Sequence, residues 1–245
     1  MKQFGLIGHP LGHSFSARYF AEKFGRGIPA RYDNYDLADI QEVEGLRALC
    51  GFNVTIPYKQ AIIPFLAGMS AEAAAIGAVN TVRVEEGRFY GFNTDVIGFR
   101  DSLRAFMAEH QEINVTGALV LGTGGASLAV CYALKQLGIT AQSVSRTKKS
   151  TCISYDEVEE ALTSGRFQLI VNCTPLGTTP NENTCPPISY EALHAGVMLY
   201  DLVYNPAETL FLRRGRLAGC PTKNGLEMLH LQAEAAWQIW TREDK

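Results

Sequence analysis

Gly122, Gly124 and Gly125 follow the bare apolar run Ala118–Leu121 in "LVLGTGGAS". A glycine directly after a strand permits a tight turn, and a second lets the backbone approach a pyrophosphate. The helix expected to open near Ala126 adds unpaired N–H groups and a positive dipole end. The chemistry such a loop supports is the cradling of a dinucleotide's phosphates. Ser127 stands where the usual fingerprint has Gly or Ala, a small departure. The same glycines would serve a plain strand-to-helix turn, but the strand expected over 139–144 follows at the distance a dinucleotide site requires. That strand runs into "SVSRTKK", with Ser145, Arg146, Thr147, Lys148 and Lys149 and no carboxylate. An NAD site puts an acid there for the ribose 2′-hydroxyl; a guanidinium instead binds a 2′-phosphate in bidentate fashion. The expected cofactor is therefore NADP.

A second chemistry-bearing stretch is "NVTIPYKQ". A short strand, expected over 54–56, meets Pro57, and Lys59 follows at once. Strand ends carry the chemistry of α/β proteins, so Lys59 is either a solvated cation opening a helix or one that faces a substrate. Asp95 closes "GFNTD" ahead of the helix-like "VIGFRDSLRAFMAEH", where it also suits a helix N-cap. Ser14 and Ser16 stand two apart in a loop before a helix expected over 16–24, which Ser16 would cap. His9, His13, His110, His194 and His230 show no metal-ligand spacing, so no metal is expected. Six scattered cysteines without a CxxC pair read as reduced thiols of a cytoplasmic protein, and Cys173 has no charged neighbour to activate it.

The elements that must position these groups alternate between strand and helix, which predicts an α/β fold with parallel sheets. Strands are expected over 4–7, 30–35, 118–121, 139–144, 169–172 and 198–203. The apolar spacing over 39–50 predicts a helix, as do 70–76, 126–137 and the strongly periodic 226–240. "AVNTVRVEEGRFYGFNTD" reads as two strands joined at 85–87. The change of character after residue 98 and again near 225 predicts two domains, 1–98 plus 226–245 and 99–225, with the last helix returning to the first. The chain of 245 residues, 47% hydrophobic and 19% charged, has ample length for such cores. A net charge of −3 gives no electrostatic case for nucleic acid or an anionic membrane. No apolar run approaches the ~18–20 residues of a membrane span, and "MKQFGLIGHPLGH" reads as a first strand rather than a signal peptide.

Taken together and in order, "GHPLGHSFS", "NVTIPYK", "IGAVNT", "GFNTD", "GTGGA", "SRT", "NCTPLG", "YDLVYNP" and "NGLEMLHLQAEAAWQIW" resemble the shikimate dehydrogenase family along nearly the whole chain. The resemblance implies NADPH-dependent reduction of 3-dehydroshikimate to shikimate in aromatic amino acid (chorismate) biosynthesis. It also implies an α/β substrate domain made from both ends of the chain, a Rossmann-type NADP domain between them, and a cleft that closes. Lys59 is then the cation that stabilises charge on the carbonyl oxygen and donates its proton, with Asp95 as partner. Ser14 and Ser16 bind the substrate carboxylate, and Thr55, Asn80 and Gln232 its ring hydroxyls. Tyr204 lies near the carboxylate and the nicotinamide. Gly122, Gly124, Gly125, Ala126, Ser145, Arg146, Thr147, Asn172, Thr174 and Gly225 face the cofactor.

Two positions depart from the family pattern. Ala17 replaces a usual proline, and only residues 148–168 fill the space where the family has a helix and a strand. The second predicts a trimmed adenosine side. The rivals are an NAD-dependent quinate/shikimate dehydrogenase, a non-catalytic NADP-binding regulator, and a reductase for another small hydroxy acid. No nucleic-acid or membrane partner is expected, and the chain is expected as a monomer or homodimer.

Overall fold

The computed structural model describes residues 1–12, 14–147 and 151–242; His13, Lys148 and Lys149, named above, lie outside the described residues. The chain divides into two compact units, Met1–Thr94 with Gln232–Lys245, and Asp95–Leu231.

The first unit contains β1 (Lys2–Gly8), α1 (Phe15–Phe24), β2 (Ala30–Asp36), β3 (Gly51–Val54), α2 (Tyr58–Ala61), β4 (Gly68–Met69), α3 (Ala71–Ile76), β5 (Thr81–Glu85) and β6 (Arg88–Phe92). Its six strands lie in the order β2-β1-β3-β5-β6-β4. The expectation of parallel sheets fails here, because β5 runs antiparallel to both β3 and β6. The cause is local: Glu86 and Gly87 both take positive φ, 49° and 73°, making a two-residue turn that folds β6 straight back on β5. Between β2 and β3 the expected helix over 39–50 is a 3-10 helix, Ile40–Leu46, started by a capping box of Asp39 and Glu42. Its apolar residues Val43 and Leu46 are buried, as their spacing requires.

The strand before Lys59 also differs from expectation. It is β3, ending at Val54; Thr55, Ile56 and Pro57 form the turn, and Lys59 lies in the single-turn helix α2. A proline has no N–H for a sheet ladder, so the strand stops before it. The α1 helix opens at Phe15, and its cap is Ser14 rather than Ser16: Ser14 Oγ accepts the Ala17 N–H at 3.2 Å.

One core of this unit is aromatic. Phe4 stacks on Trp240 and Phe20 lies tilted against it, with ring centroids 4.9 and 5.3 Å from it, and Ala233 and Ala236 join them. The indole N–H of Trp240 donates to the Val82 carbonyl at 2.9 Å.

The second unit contains α4 (Asp95–Glu109), β7 (Gly117–Leu121), α5 (Gly125–Gln136), β8 (Thr140–Val144), β9 (Cys152–Ile153), α6 (Val158–Thr163), β10 (Leu169–Asn172), β11 (Met198–Asp201), α7 (Leu210–Leu217) and β12 (Thr222–Lys223). The last helix, α8 (Leu226–Thr241), begins in this unit and passes at Leu231/Gln232 into the first. The sheet is parallel throughout, in the order β12-β11-β10-β7-β8-β9. Counted within the unit, that is the 3-2-1-4-5-6 order of a doubly wound Rossmann sheet. The central strands β7, β10 and β11 are buried along their length and apolar apart from their last residues, as strands covered on both faces must be. β11 stops at Asp201, two residues short of expectation. β4, β9, α7 and β12 were not expected; three of them are strands of two residues, too short for any periodicity to register.

Gly51 stands where β3 crosses beneath Trp240. A Cβ there would lie 2.3 Å from the indole Cδ1 and 2.8 Å from the Val82 carbonyl oxygen. Gly51→Ala must therefore push the ring out of its packing and off its hydrogen bond, at a cost of about 1–3 kcal/mol. Urea denaturation measures it; an unchanged midpoint would show that the aromatic core yields freely at this point.

Candidate active site

In the second unit the strand order reverses between β7 and β10, and ligands of open α/β sheets bind outside the strand ends at such a point. The glycine turn sits there. Gly122 takes φ 103°, and its N–H donates to Val144 at 3.0 Å. At that φ any side chain would be strained, and a Cβ on Gly122 would also crowd the Thr174 Cγ2 methyl at 3.1 Å. Gly124 is the N-cap of α5, with no atom within 4 Å of where its Cβ would be. The helix starts at Gly125, one residue before the expected Ala126. Ser127 is buried and returns its hydroxyl to the Gly124 carbonyl at 2.6 Å, so the departure from the fingerprint braces the turn from inside.

The turn after β8 carries Ser145, Arg146 and Thr147. Ser145 is buried, donates its N–H to Ile153 at 2.9 Å and accepts the Thr147 N–H on Oγ at 3.3 Å. Arg146 and Thr147 are exposed. Burial pushes the Tyr155 phenol up, and the nearby Arg146 guanidinium pulls it back. The segment between this turn and β10 is short but holds both a strand, β9, paired with β8, and the helix α6 behind a 3-10 turn, Tyr155–Glu157. The helix expected in this segment is present, and the two-residue strand β9 stands beside it. A tight glycine cradle and an exposed arginine with no acid next to it in the sequence at the β8 end fit NADP.

Asn172 and Thr174 are fixed from behind. Asn172 is fully buried, and its Oδ1 accepts from Thr174 N at 3.0 Å and Thr174 Oγ1 at 2.6 Å. Its Nδ2 donates to Asp201 Oδ1 at 2.9 Å. Asp201 also accepts from Val203 N at 3.0 Å and Thr209 Oγ1 at 2.6 Å. Tyr204 is half-buried just beyond β11. Gly225 lies so close to Leu202 that a Cβ would be 2.2 Å from its carbonyl oxygen. Its segment is held by Lys223 and Glu227, paired at 2.5 Å, and by Ser102, which donates to Glu227 at 2.8 Å and accepts from the buried Tyr200 hydroxyl at 2.9 Å.

In the first unit the candidate residues converge on a buried polar chain. Tyr32 OH donates to Asn53 Oδ1 at 2.8 Å and is also hydrogen-bonded to Ser16. Burial pushes this phenol above its ordinary value, so it remains a donor. Asn53 Nδ2 reaches Thr81 Oγ1 at 3.2 Å, and Thr81 Oγ1 reaches Asn80 Oδ1 at 3.1 Å. Asn80 Nδ2 donates to Thr94 Oγ1 at 3.1 Å, and Thr94 Oγ1 reaches Gln232 Oε1 at 3.4 Å. Ser16, Asn80 and Gln232 are thus brought together from three distant stretches. The backbone of Lys59 is tied next to Asn80, its carbonyl accepting the Val79 N–H at 2.7 Å, and Thr55 N donates to the Ile7 carbonyl at 2.9 Å. Ser14 is occupied as a helix cap. Asp95 belongs to the second unit, is buried, and is the first residue of α4 rather than the residue before it.

A family model described as the shikimate dehydrogenase substrate binding domain matches residues 6–82. The shikimate dehydrogenase (NADP(+)) of Caldanaerobacter subterraneus subsp. tengcongensis is 38% identical, across 99% of this chain and 92% of its own. The shikimate 5-dehydrogenase of Thermus thermophilus, solved in complex with NADP(H) and shikimate, superposes with a TM-score of 0.84 at 33% identity, covering 98% of this chain and 94% of its own. Quinate dehydrogenase from Corynebacterium glutamicum, in complex with NAD, gives a TM-score of 0.84 at 28% identity over 98% and 93%. The chain belongs to the shikimate dehydrogenase family. It is an oxidoreductase of a family whose curated relatives are named for NADP(+).

Within this member of the shikimate dehydrogenase family, Tyr32, Asn53, Thr81, Thr94 and Asp201 escaped the sequence reading, though four of the five lie inside motifs already quoted. The signal was there: a polar residue in a strand buried along its length, such as Asn53 in β3 or Asp201 in β11, must find a partner. Burial pushes the Cys173 thiol well above its ordinary value. Among the described residues, no group of three or more His, Cys, Asp or Glu is placed to hold a metal ion, and no helix is long and apolar enough to cross a membrane.

Burial raises Asp201 from 3.8 to about 6, against the pull of its Thr209, Val203 and Asn172 donors. The folded state then holds this proton more tightly than the unfolded chain. Its contribution to stability is full below pH ~4 and is lost as pH rises through ~6, an order-of-magnitude change of about 3 kcal/mol. The stability difference between wild type and Asp201→Asn, measured by denaturation from pH 4 to 7, should shift in that sense. A difference that stays level across the range would mean that Asp201 titrates normally.

Proposed function

We propose that this chain catalyses the reversible NADPH-dependent reduction of 3-dehydroshikimate to shikimate, as a cytoplasmic enzyme of aromatic amino acid biosynthesis. The observation that carries this reading is the likeness to enzymes of that name over nearly the full chain. The first unit is the substrate unit and the second the NADP unit. Bound NADPH supplies the hydride. Lys59 holds its ammonium at the carbonyl oxygen, offsets the charge that builds there and gives up a proton, and the family likeness assigns Asp95 as its partner. Ser14 and Ser16 hold the carboxylate, Thr55, Asn80 and Gln232 the ring hydroxyls, and Tyr204 closes the side toward the nicotinamide. Gly122, Gly124, Gly125 and Ala126 admit the pyrophosphate, Ser145, Arg146 and Thr147 hold the 2′-phosphate, and Asn172, Thr174 and Gly225 line the nicotinamide side. The likeness to an NAD-bound quinate dehydrogenase supports a second reading, NAD-dependent oxidation of quinate or shikimate. Absorbance of reduced nicotinamide, with shikimate or quinate crossed against NADP⁺ or NAD⁺, separates the two; no turnover in any of the four pairings would overturn both.

Two variants probe the roles. Lys59→Ala should lower kcat by ~10²–10⁴, the range for loss of a general acid, with NADPH affinity nearly unchanged; normal turnover would remove Lys59 from the chemistry. Arg146→Ala should weaken NADPH much more than NADH in a binding titration, whereas equal weakening would end the 2′-phosphate assignment.

A further inference from the structure

The polar chain of the first unit has a direction, and backbone groups set it. A carbonyl can only accept and an N–H can only donate. Asn53 Nδ2 lies 3.3 Å from the Asn80 carbonyl, so the Asn53 amide cannot be flipped without facing oxygen to oxygen. The Thr94 N–H donates to Asn80 Oδ1 at 2.7 Å, which fixes the Asn80 amide in the same way. Between these two anchored amides stands Thr81, fully buried, with its Oγ1 at 3.2 Å from Asn53 Nδ2, 3.1 Å from Asn80 Oδ1 and 3.0 Å from Thr94 Oγ1. A hydroxyl has one proton and two lone pairs. Accepting from Asn53 and donating to Asn80, the Thr81 hydroxyl couples the orientation of the first amide to that of the second.

We propose that Thr81 is a positioning residue for substrate: its hydroxyl donates to Asn80 Oδ1 and, together with the Thr94 N–H on the same oxygen, holds the Asn80 amide in one orientation, with Nδ2 donating to Thr94 Oγ1. The inference rests on the reading of Asn80 as a ligand of the substrate ring. It follows that Thr81 acts on the affinity for the hydroxylated ring and leaves both the cofactor and the chemical step alone.

The test compares Thr81→Val, which keeps the shape and removes the hydroxyl, Thr81→Ser, which restores it, Asn80→Ala, and the double variant Thr81→Val/Asn80→Ala. Steady-state kinetics with shikimate and NADP⁺ are read together with the thermal midpoint. Thr81→Val should raise KM for shikimate about 3–10-fold, the effect of one neutral hydrogen bond, with kcat and KM for NADP⁺ within about twofold of wild type. Thr81→Ser should return most of it. In the double variant the loss should not exceed that of Asn80→Ala alone, because the two act through one contact. If Asn80→Ala raises KM and Thr81→Val does not, the positioning role is overturned. Additive losses, or a fall in kcat and NADP⁺ binding alongside a lowered midpoint, would reduce Thr81 to a structural residue. If Asn80→Ala itself leaves KM unchanged, the assignment of Asn80 fails instead.

Discussion

Asn80 is the residue on which the first unit turns. Its backbone accepts from Val54 at 2.8 Å and donates to Phe92 at 3.1 Å, so it bridges the ends of β3 and β6. Its side chain meanwhile bonds Thr81 and Thr94. A buried amide left short of partners costs roughly 1–3 kcal/mol, and Asn80 is 3% exposed. Its satisfaction therefore requires that the end of β3, the start of β5 and the lead-in to α4 all occupy one arrangement. The motifs around it are separate in sequence, but they answer a single hydrogen-bonding constraint.

The second unit meets a comparable constraint with a charge. Asp201 ends β11 with no exposed surface, and three donors from Asn172, Val203 and Thr209 surround it. The bond to Asn172 passes orientation on to Thr174, which faces Gly122 at the switch point. Asp201 thus decides where the Asn172 amide and the Thr174 hydroxyl stand. Burial opposes its ionisation while the donors favour it.

What the sequence disclosed follows from what leaves a mark on neighbouring residues. The glycine turn was legible because tight backbone geometry restricts residue type at Gly122. The strands β7, β10 and β11 were legible because double burial demands apolar runs. The hairpin of β5 and β6 is legible from the turn at 85–87; that β5 also runs antiparallel to β3 is not, because strand direction depends on which strands meet, and several short elements separate these two. The helix over 39–50 was read too long because apolar spacing fixes the buried face and not the hydrogen-bond pattern. The cap of α1 was misplaced by two residues, since two serines with the same chemistry stand on either side of Phe15. Thr81 and Thr94 were passed over because a hydroxyl between two amides has no signature in linear sequence; its importance lies in contacts made across the sheet.

On the proposed reading the two units recognise their ligands by opposite physical means. The substrate side relies on neutral amides and hydroxyls that are buried and mutually satisfied, so its discrimination comes from orientation. An amide that cannot flip offers a fixed donor or acceptor, and a ring lacking the matching oxygen leaves it unpaired. The cofactor side relies on an exposed cation, Arg146, whose attraction to a phosphate is strong in kind but screened by salt over about 8–10 Å. The first kind of recognition is insensitive to ionic strength and intolerant of small changes in shape; the second is the reverse. A chain that must reject near-identical rings but only distinguish a phosphate from a hydroxyl has reason to bury the first apparatus in a sheet and leave the second on an exposed turn.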